Sequence, residues 1–432
     1  MKMAIIGFIL MIVLMYVLIK EKMSPIVAFI ILPLIAAIIA GNGMAEISNY
    51  IESGMKTMMS TAILFVFSIS YFSLMSEAGL FDPIINFLVK RTSKGMITIF
   101  IAIVLVTFVA HLDGSGATTF LIVVPAFLPI CKKYGVRPQA LLGAMMGAYA
   151  TMNIVPWGGP TIRASSVAGV EPGDLYSFIM PGIVTIAVIA FVIAFVVYRI
   201  EKRNGAGQVV LSNEANENSE QEGAKVSKGV YFFNLILTVI MLVLLFMNLD
   251  FPLYAIFMIA FSLALIVNFP NVKEQSKKIK HYGGNAMVMC MTLFAVGIFM
   301  GVISGSGMVE AMATAIVNIL PTAIAPHMHW FMALFSVPLM MILGTDAFYY
   351  ALLPIIIGVV APFGVSTQCV AATFLLTATF GTPVSPSVAA VYVGLGLTDV
   401  SIGDHIKYSL RLVWPASIVV LVICTLLGVI QF

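Results

Sequence analysis

The chain has 432 residues, of which 61% are apolar or aromatic and only 9% are Asp, Glu, Lys or Arg, against about 25% charged residues in an ordinary soluble domain. A water-soluble fold of this size could not cover its surface with so few charges, so the reading is a polytopic integral membrane protein. The net charge of +3 is too small to point to nucleic acid, and the four cysteines (131, 290, 369 and 424) are too scattered for a metal motif or a disulfide framework.

A spanning helix needs roughly 20 mostly apolar residues. Such stretches fall near 3–19, 24–41, 59–76, 96–131, 138–162, 177–198, 229–249, 251–270, 285–304, 328–362, 366–386 and 409–430. The first lacks the basic flank and small-residue cleavage site of a signal peptide and is read as a span. Stretches 96–131 and 328–362 are about 35 residues long, too long for one crossing. A polar cluster interrupts each near its middle, HLDGSGATT in one and GTDAF in the other. We read both as re-entrant hairpins that enter and leave on one side. Stretches 138–162 and 366–386 carry Pro and Gly and are read as broken helices.

With two hairpins, both termini fall outside, and every Lys and Arg except Lys2, Lys56 and Arg163 falls inside, a positive-inside pattern. The connection 271–281 is among the inside segments. Segment 199–228 is polar and Asn/Glu-rich and reads as a flexible cytoplasmic linker. It separates an N-terminal repeat, 1–198, from a C-terminal repeat, 229–432. Each repeat holds an Asp-bearing hairpin, a broken helix, a Gly-Asp connection and a last long helix starting at Tyr-Ser (Tyr176-Ser177, Tyr408-Ser409). Five crossings per half make the repeats inverted. The expected fold is therefore all-α: two inverted repeats, each of five spanning helices and one hairpin. Such repeats mark secondary transporters whose site lies at the repeat interface.

Asp113 and Asp346 are the only acids inside apolar stretches. An intramembrane carboxylate is a functional candidate by default, although each could also cap the helix that follows it. At the first tip, Gly114 and Gly116 allow close backbone approach. Ser115, Thr118 and Thr119 offer hydroxyls, and the helix beginning there exposes N–H groups suited to a carboxylate. The alternative is small-residue helix packing. The broken helices contribute Asn153, Trp157, Gly158, Gly159 and Thr161 on one side, and Thr379, Gly381, Thr382 and Ser385 on the other; Tyr349 lies beside Asp346. Their freed backbone groups must be satisfied by protein, water or ligand. His111 could carry a proton or be a structural histidine. His281, His327, His329 and His405 fall at span ends, where a solvated histidine is ordinary. Arg163 could anchor a carboxylate or sit at the interface. Two nearby aspartates beside an anion repel unless a proton or a divalent cation intervenes, and hard oxygen ligands suit Mg²⁺ or Ca²⁺. No nucleotide-binding motif, HExxH or GxSxG is present, so neither ATP hydrolysis nor enzymatic catalysis is expected.

The motifs HLDGSGATTF and NIVPWGGPTIRAS, with SEAGLFDP, SGSGMVEAM, DAFYYALLPI, TPVSPSVAAVYVGLGL and GDHIKYSL, resemble the citrate–metal–proton symporter (CitMHS) family of the ion transporter superfamily. The likeness covers nearly the whole chain. It implies proton-coupled symport of citrate as a divalent metal complex across the plasma membrane, with no permanently bound cofactor. It also implies a homodimer with a fixed scaffold and a transport domain that moves as an elevator. In that reading the metal or proton falls to Asp113, Asp346 and His111, and the anion to the hydroxyl, amide and glycine positions named above. The alternatives are a gluconate-type or other organic-anion carrier, with sodium as the alternative coupling ion, and, from other classes, a channel or a membrane enzyme.

Overall fold

The computed structural model describes residues 2–20, 22–90, 95–207, 227–246, 251–319, 321 and 324–432. Among these it is helical throughout, with no strand. The first half runs α1 (Lys2–Ile19), α2 (Pro25–Ala40), α3 (Met44–Glu77), α4 (Asp82–Lys90), α5 (Met96–Ala110), α6 (Gly116–Lys133), α7 (Pro138–Met152), α8 (Gly159–Ala168), α9 (Pro172–Phe178) and α10 (Met180–Arg203). The second half runs α11 (Lys228–Phe246), α12 (Leu253–Asn268), α13 (Val272–Gly305), α14 (Met308–Val317), α15 (Met328–Ala333), α16 (Ser336–Ala347), α17 (Leu353–Val360), α18 (Thr367–Ala378), α19 (Ala389–Thr398) and α20 (Ile402–Leu426). Local chemistry sets several of these starts. Ser24, Ser115, Ser366 and Ser401 each cap the helix that follows through a side-chain oxygen.

Seven described helices are long and apolar enough to cross a bilayer, or eight if the pair 367–384 and 389–398, bent by 42°, is one span. Helices α1, α2 and α12, at 16 to 18 residues, sit at the short end of the spanning range, roughly 17 residues. The outer faces are apolar: Ile5, Ile9 and Ile12 on α1, Val184, Val188 and Val192 on α10, and Ile236, Val239 and Ile240 on α11 are all exposed. In water such faces would be an aggregation liability; in lipid they are the solvated surface.

The helices pack in two groups. Helices α1 to α3 and α11 to α13 form one, built on α3 and α13, which lie antiparallel along their length. The backbones touch where Gly54 meets Gly297 and Gly301: a Cβ at Gly54 would stand 1.8 Å from the Gly297 carbonyl oxygen. At the other end of the same pair Glu77 of α3 pairs with Lys278 of α13 and accepts from the Tyr282 hydroxyl at 2.5 Å. The second group gathers the two interrupted hairpins, the two broken helices, α10 and α20. Aromatic rings join the groups: Trp157 stacks on Phe72 and meets Phe257, while Tyr350 meets Phe29, which in turn packs on Phe299.

Several boundaries differ from the sequence expectation. The stretches 42–58 and 271–281, expected as connections, are mostly the first turns of α3 and α13. Each of those helices has 34 residues, about 50 Å at 1.5 Å per residue, well beyond the ~30 Å hydrocarbon core. Neither charges nor the Gly283-Gly284 pair stops α13, because its polar turns lie outside the apolar window. The last long helices do not begin at Tyr-Ser. Tyr176 and Ser177 belong to α9, with α10 starting at Met180 before Pro181, and α20 starts six residues before Tyr408, at the Ser401 cap. Of the 199–228 linker, 208–226 lie outside the described residues, 199–203 extend α10, and Lys228 opens α11.

Candidate functional site

The first tip is a five-residue interruption. Helix α5 ends at Ala110, with His111 as its C-cap, and α6 opens at Gly116 with Ser115 as its cap. Asp113 does not cap the helix. Its Oδ1 accepts the Ser115 N–H at 2.8 Å, an Asx turn that fixes the loop. Ser115 Oγ accepts from the Thr118 N–H at 3.4 Å and from its hydroxyl at 3.0 Å. The Thr119 hydroxyl donates to the Ser115 carbonyl at 2.9 Å and lies 2.6 Å from His111 Nδ1. With the Thr119 proton committed, Nδ1 is the donor in that pair. His111 Nε2, 3.4 Å from Asn153 Oδ1, then has two consistent states. Either His111 is protonated, or it is neutral and the Asn153 amide turns its NH₂ toward the ring.

The tip rests on the first broken helix. Trp157 Nε1 donates to the Leu112 carbonyl at 2.7 Å, Gly114 (φ +70°) lies against the Trp157 and Gly158 backbone, and the Tyr149 ring lies 4.3 Å from the His111 ring. The tip also meets the second broken helix: Gly116 approaches Ala390 in the first turn of α19. Two helix N-termini, those of α6 and α19, thus meet at Gly116 and Ala390, and such ends favour anions.

The second tip repeats the arrangement. Helix α16 breaks at Gly344 (φ 73°, ψ 170°), a left-handed position that suits glycine, and the chain restarts through Thr345 and Asp346. Gly344 lies against Ser387 of the second break. Asp346 Oδ1 accepts from Arg163 Nε of α8 at 2.8 Å, with Arg163 8% and Asp346 25% exposed. Each tip therefore touches both breaks. The breaks also touch each other: the Thr379 hydroxyl donates to the Ala150 carbonyl at 3.0 Å.

The other expected residues fall in the same region. Ser385 Oγ donates to the Met341 carbonyl, and Gly381 packs on Met340 and Val337. A Cβ at Gly158 would meet the Asn153 carbonyl oxygen at 2.2 Å, and one at Gly159 would meet Arg163 Nη1 at 2.9 Å. Buried polar atoms with no hydrogen-bond partner concentrate here as well: Asn153 Nδ2, Thr161 Oγ1, Tyr349 Oη, Tyr350 Oη and Thr382 Oγ1. A buried polar group left unmade costs about 1–3 kcal/mol, and such groups at a helix break are where a polar ligand or water would bind. No cluster of three or more His, Cys, Asp or Glu able to hold a metal occurs among the described residues.

The sequence reading missed Tyr149, Arg163 as the partner of Asp346, Gly344, Tyr350 and Ser387. The signals were an arginine four residues after the Gly158-Gly159 break and a second tyrosine beside Tyr349. His405 was expected to be solvated. It is fully buried and its Nε2 lies 3.0 Å from the Pro383 carbonyl, satisfying backbone that the break frees. His329 is likewise buried, bonded to the Gln431 carbonyl at 2.8 Å.

Interrupted helices gathered within an all-helical fold with apolar outer faces mark a membrane transport protein. A solved structure with this fold is the Alcanivorax borkumensis YdaH transporter, with a TM-score of 0.64 at 13% identity over 89% of this chain and 88% of that one. The family model for citrate transporters, CitMHS, matches residues 2–381, and the chain belongs to that family. It is 36% identical to a Bacillus subtilis protein named citrate transporter, over 99% of this chain and 100% of the relative. It is 32% identical to the Mg²⁺/citrate complex secondary transporter of the same organism, over 99% of each chain. The family and these relatives are transporters rather than enzymes.

Proposed function

We propose that this protein is a secondary carrier of citrate, moved as a divalent-metal complex and coupled to protons. The observation that carries the reading is the meeting of both hairpin tips with both broken helices, where paired helix N-termini and partnerless buried donors await an oxygen-rich anion. The relatives' names supply the substrate. In this reading the metal arrives already wrapped in citrate oxygens, and Asp113 and Asp346 add ligands to it or take protons. His111 is the further proton candidate.

The two halves act as inverted repeats, and the group built on α3 and α13 is the scaffold. The group holding the tips is the moving part of an elevator, working as a homodimer in the plasma membrane with both termini outside. The repeated element order and the crossed tip-to-break contacts support this arrangement.

Uptake of labelled citrate into proteoliposomes, in competition with unlabelled carboxylates, tests the substrate. Competition by citrate with Mg²⁺ is expected to exceed that by gluconate. Preferential block by gluconate would reassign the carrier to the gluconate type.

A further inference from the structure

The Arg163–Asp346 pair joins α8, just after the first break, to the second tip. A guanidinium is charged at any accessible pH, so burying it requires an anion beside it. Here the anion is a carboxylate on a chain segment that restarts at Gly344, and the Asp346 side chain keeps a quarter of its surface open while Arg163 is closed in. The guanidinium lies over Gly159, where a Cβ would come within 2.9 Å of Nη1, and its Cζ is 6.0 Å from the Tyr350 ring. Both Tyr349 and Tyr350 are fully buried, within electrostatic reach of Arg163, and have hydroxyls without a hydrogen-bond partner. Phenolic hydroxyls donate well to carboxylates. Asp346 neutralises the arginine's charge and leaves these two hydroxyls unused. A carboxylate with more oxygens nearby would use all three.

We infer that Asp346 occupies the place of a substrate carboxylate on Arg163, and that loading exchanges the one for the other. The inference rests on the reading of this site as a carboxylate carrier and deepens it. Arg163 becomes the anchor of the anion, with Tyr349 and Tyr350 as its supporting donors. Once displaced, the Asp346 carboxylate is a hard oxygen ligand at the edge of the bound anion, placed for the divalent cation that accompanies it. Exchange makes the two cargoes interdependent: without the cation, the released Asp346 repels the anion that displaced it.

The test is binding of citrate, with and without Mg²⁺, to the purified protein by calorimetry and by thermal shift. The set is wild type, Asp346→Asn, Arg163→Gln and the double variant. Wild type should bind Mg²⁺–citrate more tightly than free citrate. Asp346→Asn, with the competitor gone, should bind free citrate at least about tenfold more tightly than wild type and lose the Mg²⁺ preference. Citrate should also raise its melting temperature more than it raises that of wild type. Arg163→Gln should lose at least about tenfold in affinity for both forms. The double variant contains no buried charge at this place, so it folds even if the single variants do not. It should bind as poorly as Arg163→Gln. A double variant that binds citrate like wild type would show a merely structural ion pair and overturn the inference, as would Asp346→Asn binding free citrate no better than wild type. A wild type stabilised by gluconate but not citrate sinks the citrate reading alone, and the same four proteins then decide the exchange with gluconate. A wild type stabilised by no carboxylate overturns both.

Discussion

Gly116 stands where Tyr149 comes nearest to the first tip, and a Cβ there would lie 1.8 Å from the tyrosine hydroxyl oxygen. Overpacking of this kind costs about 1–3 kcal/mol, little against a membrane-inserted fold but enough to move the α6 N-terminus off the site. Gly116→Ala should therefore insert normally and lose at least about tenfold in citrate uptake, a positional sensitivity typical of binding groups. Uptake at the wild-type rate would show that the α6 N-terminus does not position the anion. Asp346→Asn should abolish net metal-citrate uptake even where binding persists, because the ligand for the cation is gone; unchanged uptake with unchanged metal dependence would remove Asp346 from the mechanism. The acids at the tips were legible because charge inside an apolar run has few innocent explanations. Their partners were not. The Arg163–Asp346 bond spans 183 residues of sequence, and the Asx-turn role of Asp113 depends on loop geometry that Ser115, the actual cap, decides.

Among the elements, the start of α7, the end of α10 and the α20 helix are tied by one buried carboxylate. Glu201 is fully buried. It accepts from the Arg137 backbone N–H at 3.1 Å, from Arg137 Nη2 at 2.6 Å and from the Tyr408 hydroxyl at 3.4 Å. Hydrogen bonds to a charged group are worth roughly 1.5–3 kcal/mol each, and the Arg137 side chain is 43% exposed, which weakens its share. Glu201→Gln should cost about 2 kcal/mol, read as a lower melting temperature in detergent, with citrate affinity unchanged. An altered affinity at unaltered stability would place Glu201 in the site instead. The helix interruptions were readable from the sequence because Gly, Pro and Asp break otherwise continuous apolar runs. The long first turns of α3 and α13 were not, since a helix leaving the hydrocarbon core carries polar residues that hydropathy reads as loop.

For the molecule as a whole, orientation is set by the Lys and Arg distribution. A cysteine placed in 199–228 should be labelled by an impermeant reagent only after the cells are opened. Labelling in intact cells would contradict the cytoplasmic placement of this segment and invert the topology. Coupling is a property of the same scale: uptake should collapse when the proton gradient is dissipated, and sodium-driven uptake indifferent to an imposed pH gradient would refute proton coupling. The membrane class and the all-helical fold were visible in composition and hydropathy. The grouping into a α3–α13 body and a body holding the tips was not, because it is written in contacts such as Gly54 with Gly297 and Trp157 with Phe72, which no local pattern announces.

The gathered tips and breaks are proposed to carry metal-bound citrate. Uptake of labelled citrate by proteoliposomes containing wild type or Asp113→Asn, with and without Mg²⁺, tests it most directly. The substitution keeps size and the oxygen that holds the Ser115 N–H, so the turn survives while the charge goes. Wild type should accumulate citrate in a Mg²⁺-dependent way and Asp113→Asn should not. Citrate uptake by Asp113→Asn at the wild-type rate and with the same Mg²⁺ dependence would contradict the claim.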